Sequence, residues 1–396
     1  MPKRYGERDV WDAAVERLDL VFSEFERVYV SFSGGKDSSV LVHLALEAAR
    51  RASRLPLDVL FIDLEAQYRA TVEHVTEVLR RPDVRPHWVA LPMNLRNAVS
   101  VFQPHWLCWD PDQRERWVRP LPDAAGVVSD PGHFPFFRVG MEFEEFIQDF
   151  GRWFAEDKKT ACLVGIRADE SLNRFRTIAS SVKEQYQDWP WTTRIFEDLD
   201  LYNAYPIYDW RTEDVWTAVG RNGWRYNHIY DLMYQSGKSI HESRICQPYG
   251  DDQRKGLDLF RKLEPATWAK VVNRVAGANY GNIYCGTALI GHRKVPLPAG
   301  HTWRSYTEFL LETMPRYEAE WYRAKFAVFL KWWAEHGYPE IPDEADPHLE
   351  AQKKVPSWRR LAKCLVKNDR LCKSLSFAQT KGQYAKYLQL REVYGE

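Results

Sequence analysis

The sequence predicts an α/β fold in which an open parallel sheet of five strands is followed by a mainly helical C-terminal extension. Over residues 1–240, short apolar runs of β type alternate with segments of helical periodicity, which is the pattern of βαβ units. Two adjacent glycines follow the first apolar run, where a parallel strand would turn into its helix. From residue 241 onward the pattern is mostly helical and aromatic. We therefore expect parallel strands joined by right-handed crossovers.

The individual elements follow from the spacing of apolar residues. In chain order, this spacing predicts a helix from Val10 to Phe25, strand 28–32, helix 38–50, strand 58–63, a helix from Val72 to Leu79, strand 87–91, helix 142–157, strand 160–165, a helix after Arg167, strand 203–208 and helix 212–221. Four of the five strands directly precede a helix, so the pattern favours crossovers over hairpins.

Residues 102–140 interrupt this alternation. They are rich in prolines and aromatic residues, among them Trp106, Trp109 and Trp117, and they predict an inserted lid or loop. We accordingly expect an α/β domain at 1–240 that contains this insertion. A mainly helical, aromatic-rich region with a basic tail would occupy 241–396.

The connection after the first strand predicts a phosphate site. It reads Ser33-Gly34-Gly35-Lys36-Asp37-Ser38. A glycine turn at a helix start presents unpaired backbone N–H groups and the positive end of the helix dipole to an anion. Lys36 adds a point charge for phosphate oxygens, and Asp37 or Ser38 is expected to cap the helix. An ordinary turn is the alternative. The spacing fits neither the Walker P-loop nor the dinucleotide-binding glycine pattern.

Four ordered segments resemble the PP-loop ATP pyrophosphatase superfamily, in particular its phosphoadenylyl-sulfate (PAPS) reductase branch. The first is the glycine segment, which fits the superfamily signature Ser-Gly-Gly-x-Asp-Ser. The others are 163–174, with its Gly-x-Arg-x-x-Glu-Ser-x-x-Arg element, 206–216, and Asn227-His228-Ile229-Tyr230-Asp231-Leu232 before Gly237. They span about residues 25–245. The remainder is similar to an offshoot of that branch, related to a bacterial co-activator of prophage-type genes.

The resemblance implies a fold of the adenine nucleotide α-hydrolase-like type and binding of ATP or a related adenine nucleotide. It implies an enzyme that acts at the α-phosphate, by adenylyl transfer or pyrophosphate release. Lys36 and Asp37 are then the candidate catalytic residues. Mg²⁺ is a candidate cofactor, with Asp37 as its candidate ligand.

The candidate nucleotide ligands lie where the carboxyl ends of parallel strands meet. Beyond the glycine segment they are Asp63, Gly165, Arg167, Glu170 and Arg174. Asp63 follows the second strand, where a plain helix cap is the alternative. Arg167 and Arg174 share one helical face if their helix starts early, which suits a clamp on phosphate or sulfate oxygens, with a solvated face as the alternative. Glu170 either orients Arg167 or satisfies the helix N-terminus.

The cysteines distinguish two reactions. The reductase branch attacks the sulfur of a sulfonated adenylate with the cysteine of a Glu-Cys-Gly-Leu/Ile-His motif, which this sequence lacks; its nearest approach surrounds Cys285. Cys246 lies near the position at which that branch has its Gly-Cys segment. It is a candidate catalytic thiol, although a buried packing role is the alternative. Without any Cys-x-x-Cys pair we expect no iron–sulfur cluster. A zinc site would draw on His241, Cys246, Cys285 and His292, which lack tight spacing.

Charge and hydropathy indicate whether the chain binds nucleic acid or a membrane and in which compartment it is expected. The chain carries 55 basic and 55 acidic residues, so no global field indicates nucleic acid or a membrane. Residues 351–396, with 11 Lys or Arg against 3 Asp or Glu, predict either nucleic-acid binding or a docked amphipathic helix. Short apolar runs, the lack of a signal-peptide core and six scattered cysteines lead us to expect a cytoplasmic protein.

The resemblance adds one further function and partner. It implies a nucleotide-dependent regulatory or defence protein that acts with a ParB- or sulfiredoxin-like protein. This hypothesis stands beside the α-phosphate enzyme and the thiol-dependent reductase.

Overall fold

The computed structural model describes residues 7–100, 103–124, 126–178, 184–246, 248–250, 257–279, 297–367, 369, 372–377 and 389. The chain divides into two compact units, Met1–Asn279 and Tyr280–Glu396. Our division at residue 240 follows the change to a mostly helical pattern and stays a prediction. Among the helices of the described ranges, none has the length and apolar character needed to cross a bilayer.

The first unit contains nine strands and nine helices in its described part. The strands are β1 (Arg27–Ser31), β2 (Leu57–Ile62), β3 (Val84–Val89), β4 (Asn94–Arg96), β5 (His105–Leu107), β6 (Val127–Val128), β7 (Thr160–Val164), β8 (Thr192–Arg194) and β9 (Leu201–Ala204). The helices are α1 (Val10–Glu24), α2 (Lys36–Arg51), α3 (Arg69–Leu79), α4 (Phe143–Ala155), α5 (Leu172–Ile178), α6 (Thr212–Asn222), α7 (Ile229–Gln235), α8 (Leu257–Leu263) and α9 (Pro265–Arg274).

Seven of these strands form one sheet in the order β6-β3-β2-β1-β7-β9-β8. All neighbours are parallel except β8, which runs antiparallel to β9. The chain moves outward from β1 through β2 and β3 to β6 and then crosses to β7 on the other side of β1. This reversal beside β1 creates the crevice in which open α/β sheets bind their ligands.

The parallel α/β class is confirmed, but the sheet has seven strands where we predicted five. The additional strands are β6 and β8. β6 is two residues long and lies inside the predicted insertion, while β8 is Thr-Thr-Arg. Strands this short carry no period-two pattern, so only their pairing partners define them.

The central strand and its helix explain the position of the glycines. The three middle residues of β1 are buried because helices cover both faces of the sheet. Helix α2 packs Val40, Leu44 and Ala48 into the same core. It begins at Lys36 with Gly35 as its N-cap. Asp37 and Ser38 therefore lie inside the first turn, and the predicted capping role for them is wrong.

The described part of the 102–140 insertion is packed against the sheet. Strand β5 pairs with β4 as an antiparallel hairpin, and Trp106 and Trp109 are buried. The buried carboxylate of Glu65 accepts hydrogen bonds from the backbone N–H of Trp109 and, at 2.8 Å, from Nε of Arg274 in α9. Trp106 and Trp109 of the insertion thus belong to a packed loop and not to an open lid.

The second unit is helical in its described part, which confirms the expected helical extension. Its helices are α10 (Trp303–Thr313), α11 (Arg316–Glu335), α12 (Pro347–Ala351) and α13 (Trp358–Val366). The apolar faces of α10, α11 and α13 meet in a core that includes Trp321, Phe329 and Leu365.

Several cations of the predicted basic tail are engaged inside this second unit. Arg359 donates to Glu350 at 2.9 Å, and Arg360 donates to the carbonyl of Val355 at 2.6 Å. Lys363 lies 3.7 Å from the same Glu350 carboxylate. These contacts fit a docked amphipathic helix. Of the tail beyond residue 377, only residue 389 belongs to the described part, and nucleic-acid binding stays a prediction.

Candidate functional site

The glycine loop, residues 33–38, connects β1 to α2 at the crevice. Gly34 has φ +72°, and a Cβ there would lie 2.8 Å from Cγ2 of Thr71 and 2.9 Å from Cγ2 of Val75. On the opposite side, a Cβ on Gly165 would lie 3.0 Å from the backbone of Ser38. The loop is pressed between α3 and the end of β7, and glycine is required at both positions.

A chain of hydrogen bonds fixes the loop to α3. The Ser39 hydroxyl donates to the carbonyl of Gly35 at 2.8 Å and lies 2.8 Å from Nε2 of buried His74. Because the hydroxyl has one proton and gives it to Gly35, we assign the proton between Ser39 and His74 to Nε2. Burial lowers the pKa of His74 to about 4, so the imidazole is neutral at physiological pH.

Two side chains at the start of α7 hold the loop from another direction. The buried Asn227 amide donates to the carbonyl of Gly34 and to the hydroxyl of Thr71, each at 2.9 Å. The Tyr230 hydroxyl accepts the backbone N–H of Lys36 at 3.0 Å. This N–H is in the first turn of α2 and has no partner within the helix. Burial raises the pKa of Tyr230 far above its ordinary value, so the hydroxyl is neutral.

Charged groups surround Asp37 in the first turn of α2. Nε of Arg167 lies 2.5 Å from Oδ1 of Asp37, and Nζ of Lys36 lies 3.4 Å from Oδ2. Lys36 is 3% exposed and also donates to the carbonyl of Ser243 at 3.3 Å. Arg167 is 2% exposed and lies behind the loop. It therefore orients Asp37 in this arrangement.

The proposed magnesium ligand does not fit this geometry. Both carboxylate oxygens of Asp37 face cations, which compete with a metal for the same lone pairs. Within the described residues, three or more His, Cys, Asp or Glu side chains nowhere gather into a metal-binding group. Cys285 and His292 of the zinc hypothesis lie outside these residues. We derive no chemical step through a metal.

A second charged group closes the crevice opposite the loop. Glu170 accepts a hydrogen bond from Arg244 at 3.0 Å and pairs with Nε of Arg174 at 3.1 Å. Helix α5 begins only at Leu172, after Arg167. The two predicted arginines therefore share no helical face, and that part of the prediction is wrong.

Together these elements line a small polar cavity of about 60 Å³, which we call the phosphate cradle. It is lined by Ser33, Gly35, Lys36, Asp37, Ser38, Gly165, Glu170, Arg174, Tyr230, Arg244 and Ile245. The N-terminus of α2 and the three cations favour an anion there, while Asp37 and Glu170 hold the cations in place.

A larger cavity of about 270 Å³ adjoins the cradle and shares Ser33, Arg174 and Ile245 with it. We call it the apolar cavity. Its wall includes Leu60, Ile62, Leu64, Phe143 and the stacked rings of Tyr68 and Phe260, whose centroids are 4.4 Å apart. Cys246 lines it as well. An apolar slot beside an anion site suits a ligand with a flat ring at one end and phosphates at the other.

The structure brings most of the predicted site residues together, with two exceptions. Arg167 is behind the loop, and Asp63 lines neither cavity. The Asp63 carboxylate is fully buried and accepts hydrogen bonds from Arg119 and, at 2.8 Å, from the indole of Trp88. It thus ties the insertion to the sheet.

Sequence reasoning missed the residues that reach the site from beyond β9. Tyr230 and Asn227 belong to the fourth matching segment, so the resemblance contained a signal that we did not convert into site residues. Ser243 and Arg244 belong to the segment of Cys246, which the resemblance already indicated as a candidate part of the site, whereas Phe260 had no such signal. Their contacts arise only because the chain after α7 returns to the crevice.

Comparison with known proteins divides the chain. Residues 27–237 match the phosphoadenosine phosphosulfate reductase domain, and residues 237–341 and 338–386 match a domain of unknown function, DUF3440. Ser243, Arg244 and Phe260 therefore fall in the second match, although they line or contact the cavities of the first unit.

Individual proteins are similar to this chain over different shares of its length. The chain is 42% identical over 390 residues to the uncharacterized protein YbdN of Escherichia coli (strain K12), covering 96% of this chain and 93% of that protein. It is 26% identical over 254 residues to sulfate adenylyltransferase subunit 2 of Mycolicibacterium gilvum, covering 60% and 71%. The structure of a PAPS reductase from Candida auris in a phosphate complex aligns with a TM-score of 0.33 at 16% identity, over 62% of this chain and 100% of that one.

Proposed function

Since the chain belongs to the phosphoadenosine phosphosulfate reductase domain family, we propose that it is an enzyme that binds ATP or a related adenine nucleotide and acts at the α-phosphate. One observation carries this proposal: the phosphate cradle adjoins the apolar cavity and shares Ser33, Arg174 and Ile245 with it. The adenine base would occupy the apolar cavity, and the phosphates would bind at the N-terminus of α2.

The arrangement supports adenylyl transfer in a defined way. An acceptor attacks the α-phosphorus, the bond to the bridging oxygen breaks, and pyrophosphate leaves with the electron pair. Lys36 and the N–H groups at the start of α2 would stabilise the charge that develops on the phosphate oxygens. Asp37, held by Arg167, would keep the Lys36 ammonium directed toward the cradle.

The test is incubation of the full-length protein with ATP and Mg²⁺, followed by separation of AMP, ADP and pyrophosphate. The variant Lys36→Ala removes the charge in the cradle, and Lys331→Ala, an exposed lysine of α11, is the matched control. We expect AMP and pyrophosphate from the wild type and the control, with at least a tenfold loss in Lys36→Ala. Failure of the wild type to bind ATP in calorimetry would overturn the proposal.

Cys246 favours thiol-dependent reduction as a second candidate function, because it lines the apolar cavity. Its thiolate would attack the sulfur of a sulfonated adenylate, break the sulfur–oxygen bond and release the nucleotide. A second thiol, supplied by a dithiol reductant, would then release sulfite and leave a disulfide. Sulfite release that survives Cys246→Ser and Cys285→Ser, made singly, would remove this candidate.

The predicted partners remain proposals: the protein partner rests on the resemblance, and nucleic acid rests on the charge of residues 351–396. Stable co-purification with a ParB- or sulfiredoxin-like protein, together with turnover only in the complex, would support the regulatory function. Salt-sensitive binding of DNA or RNA that is lost on deletion of 351–396 would support a role for the basic tail.

A further inference from the structure

The Tyr230 side chain reaches the N-terminus of α2 from α7. It is 4% exposed and lines the phosphate cradle. A Cβ placed on Gly35 would lie 3.4 Å from the Tyr230 hydroxyl, so the oxygen sits at the turn where the loop enters the helix. The ring packs edge-on against Trp216 at 5.5 Å, which fixes its direction. The hydroxyl thus has a fixed position in the wall of the cradle.

The hydrogen bonds around this hydroxyl leave its proton available. The oxygen accepts the N–H of Lys36 at 3.0 Å. A phenol has one proton to donate, and among the described residues no acceptor for it lies within hydrogen-bond distance. Burial keeps the phenol neutral, so the hydroxyl retains this proton and can donate it. A donor therefore faces the cradle without a protein acceptor in the described chain.

An anion in the cradle would lie close to both positively and negatively charged side chains. Lys36, Arg174 and Arg244 contribute positive charge, while Asp37 and Glu170 contribute negative charge close by. A neutral hydroxyl donor adds a hydrogen bond to a phosphate oxygen without changing this balance. It also relays the polarity of the Lys36 N–H, because a hydroxyl that accepts a hydrogen bond becomes a stronger donor.

We propose that Tyr230 is a phosphate-binding residue that donates its hydroxyl proton to an oxygen of the bound adenine nucleotide. This inference rests on the proposed function and names a contact that the glycine loop does not provide. Because the hydroxyl contacts the phosphates and not the base, its contribution appears only with phosphorylated ligands.

The test compares Tyr230→Phe with the wild type by calorimetry, with adenosine, AMP and a non-hydrolysable ATP analogue as ligands. Tyr234→Phe is the matched control, because Tyr234 lies on the same helix with 68% of its side chain exposed. We expect Tyr230→Phe to weaken the ATP analogue by about tenfold or more and to leave adenosine unchanged, since one hydrogen bond to a charged group is lost.

A second variant separates binding from a purely structural role. Replacing Tyr230 by a fluorinated tyrosine keeps the shape and makes the phenol more acidic. Because burial keeps this phenol protonated at neutral pH, we expect the variant, unlike Tyr230→Phe, to retain the wild-type affinity for the ATP analogue there, with adenosine affinity unchanged. Equal loss of adenosine and ATP analogue in Tyr230→Phe, or unchanged affinity for both, would overturn the inference. If the wild type binds no adenine nucleotide, the proposed function itself fails.

Discussion

Acidification should weaken the fold through His74, which ties α3 to the glycine loop. Its ordinary pKa is 6.5, and burial lowers it to about 4 in the folded protein. Between these two values the unfolded chain binds a proton that the folded chain does not. The free energy of unfolding therefore falls as the pH drops below about 7 and levels off below about 4.

The size of this effect follows from the shift in pKa. One pKa unit corresponds to about 1.4 kcal/mol, so between pH 7 and pH 5 His74 alone should cost about 2 kcal/mol. His43 also has its pKa lowered to about 4 by burial and acts in the same direction. The wild type should lose more than the His74 contribution, and a variant is needed to isolate it.

His74→Gln supplies that comparison. A glutamine amide can still donate to Ser39 but does not titrate, and His133→Gln at an exposed position is the control. We would measure denaturant unfolding of the full chain at pH 7 and pH 5. His74→Gln should lose about 2 kcal/mol less than the wild type over this interval. Equal losses in wild type and His74→Gln would refute the assignment of a buried, neutral imidazole.

Three substitutions test the packing around the site. Gly34→Ala should destabilise the fold by about 2–5 kcal/mol, from positive φ and overpacking, whereas Gly337→Ala, at positive φ in open space, should cost only about 1–2 kcal/mol in the same denaturant titration. Asn227→Leu should cost about 2–4 kcal/mol because it leaves buried polar groups unpaired, and a loss below about 1 kcal/mol would contradict its clamping role. Glu65→Gln should cost about 3–5 kcal/mol because Arg274 stays buried without its partner charge; an unchanged unfolding midpoint would show that this ion pair is dispensable.

Local patterns were sufficient for the central sheet. β1 and β7 are covered on both faces of the sheet, so each is a run of consecutive apolar residues that can be recognised in the sequence. β6 and β8 are too short for such a signal and exist through pairing with β3 and β9. The prediction of the fold class and of the chain order of the five longer strands therefore succeeded, although β3 and β9 begin and end earlier than the predicted strands 87–91 and 203–208. The number of strands required three-dimensional information.

The site was predictable only as far as it is local. The glycine loop can be recognised in the sequence because one short segment supplies its glycines and its lysine. Asp63 has the position of a nucleotide ligand, yet its partner Arg119 comes from the insertion and removes it from the crevice. Tyr230 and Ser243 reach the loop from distant segments, and no periodicity within a segment reports such a return.

The wide separation of the cradle residues has a consequence for synthesis on the ribosome. Tyr230 lies 194 residues after Lys36, and Ser243 lies 207 residues after it. A nascent chain carries the glycine loop long before its closing segments have left the exit tunnel. Contacts of such long range form late, after the costs of ordering the intervening chain have been met. We expect ribosome-stalled chains ending before Asn227 to lack nucleotide affinity, so that ligand capture follows synthesis of these closing segments.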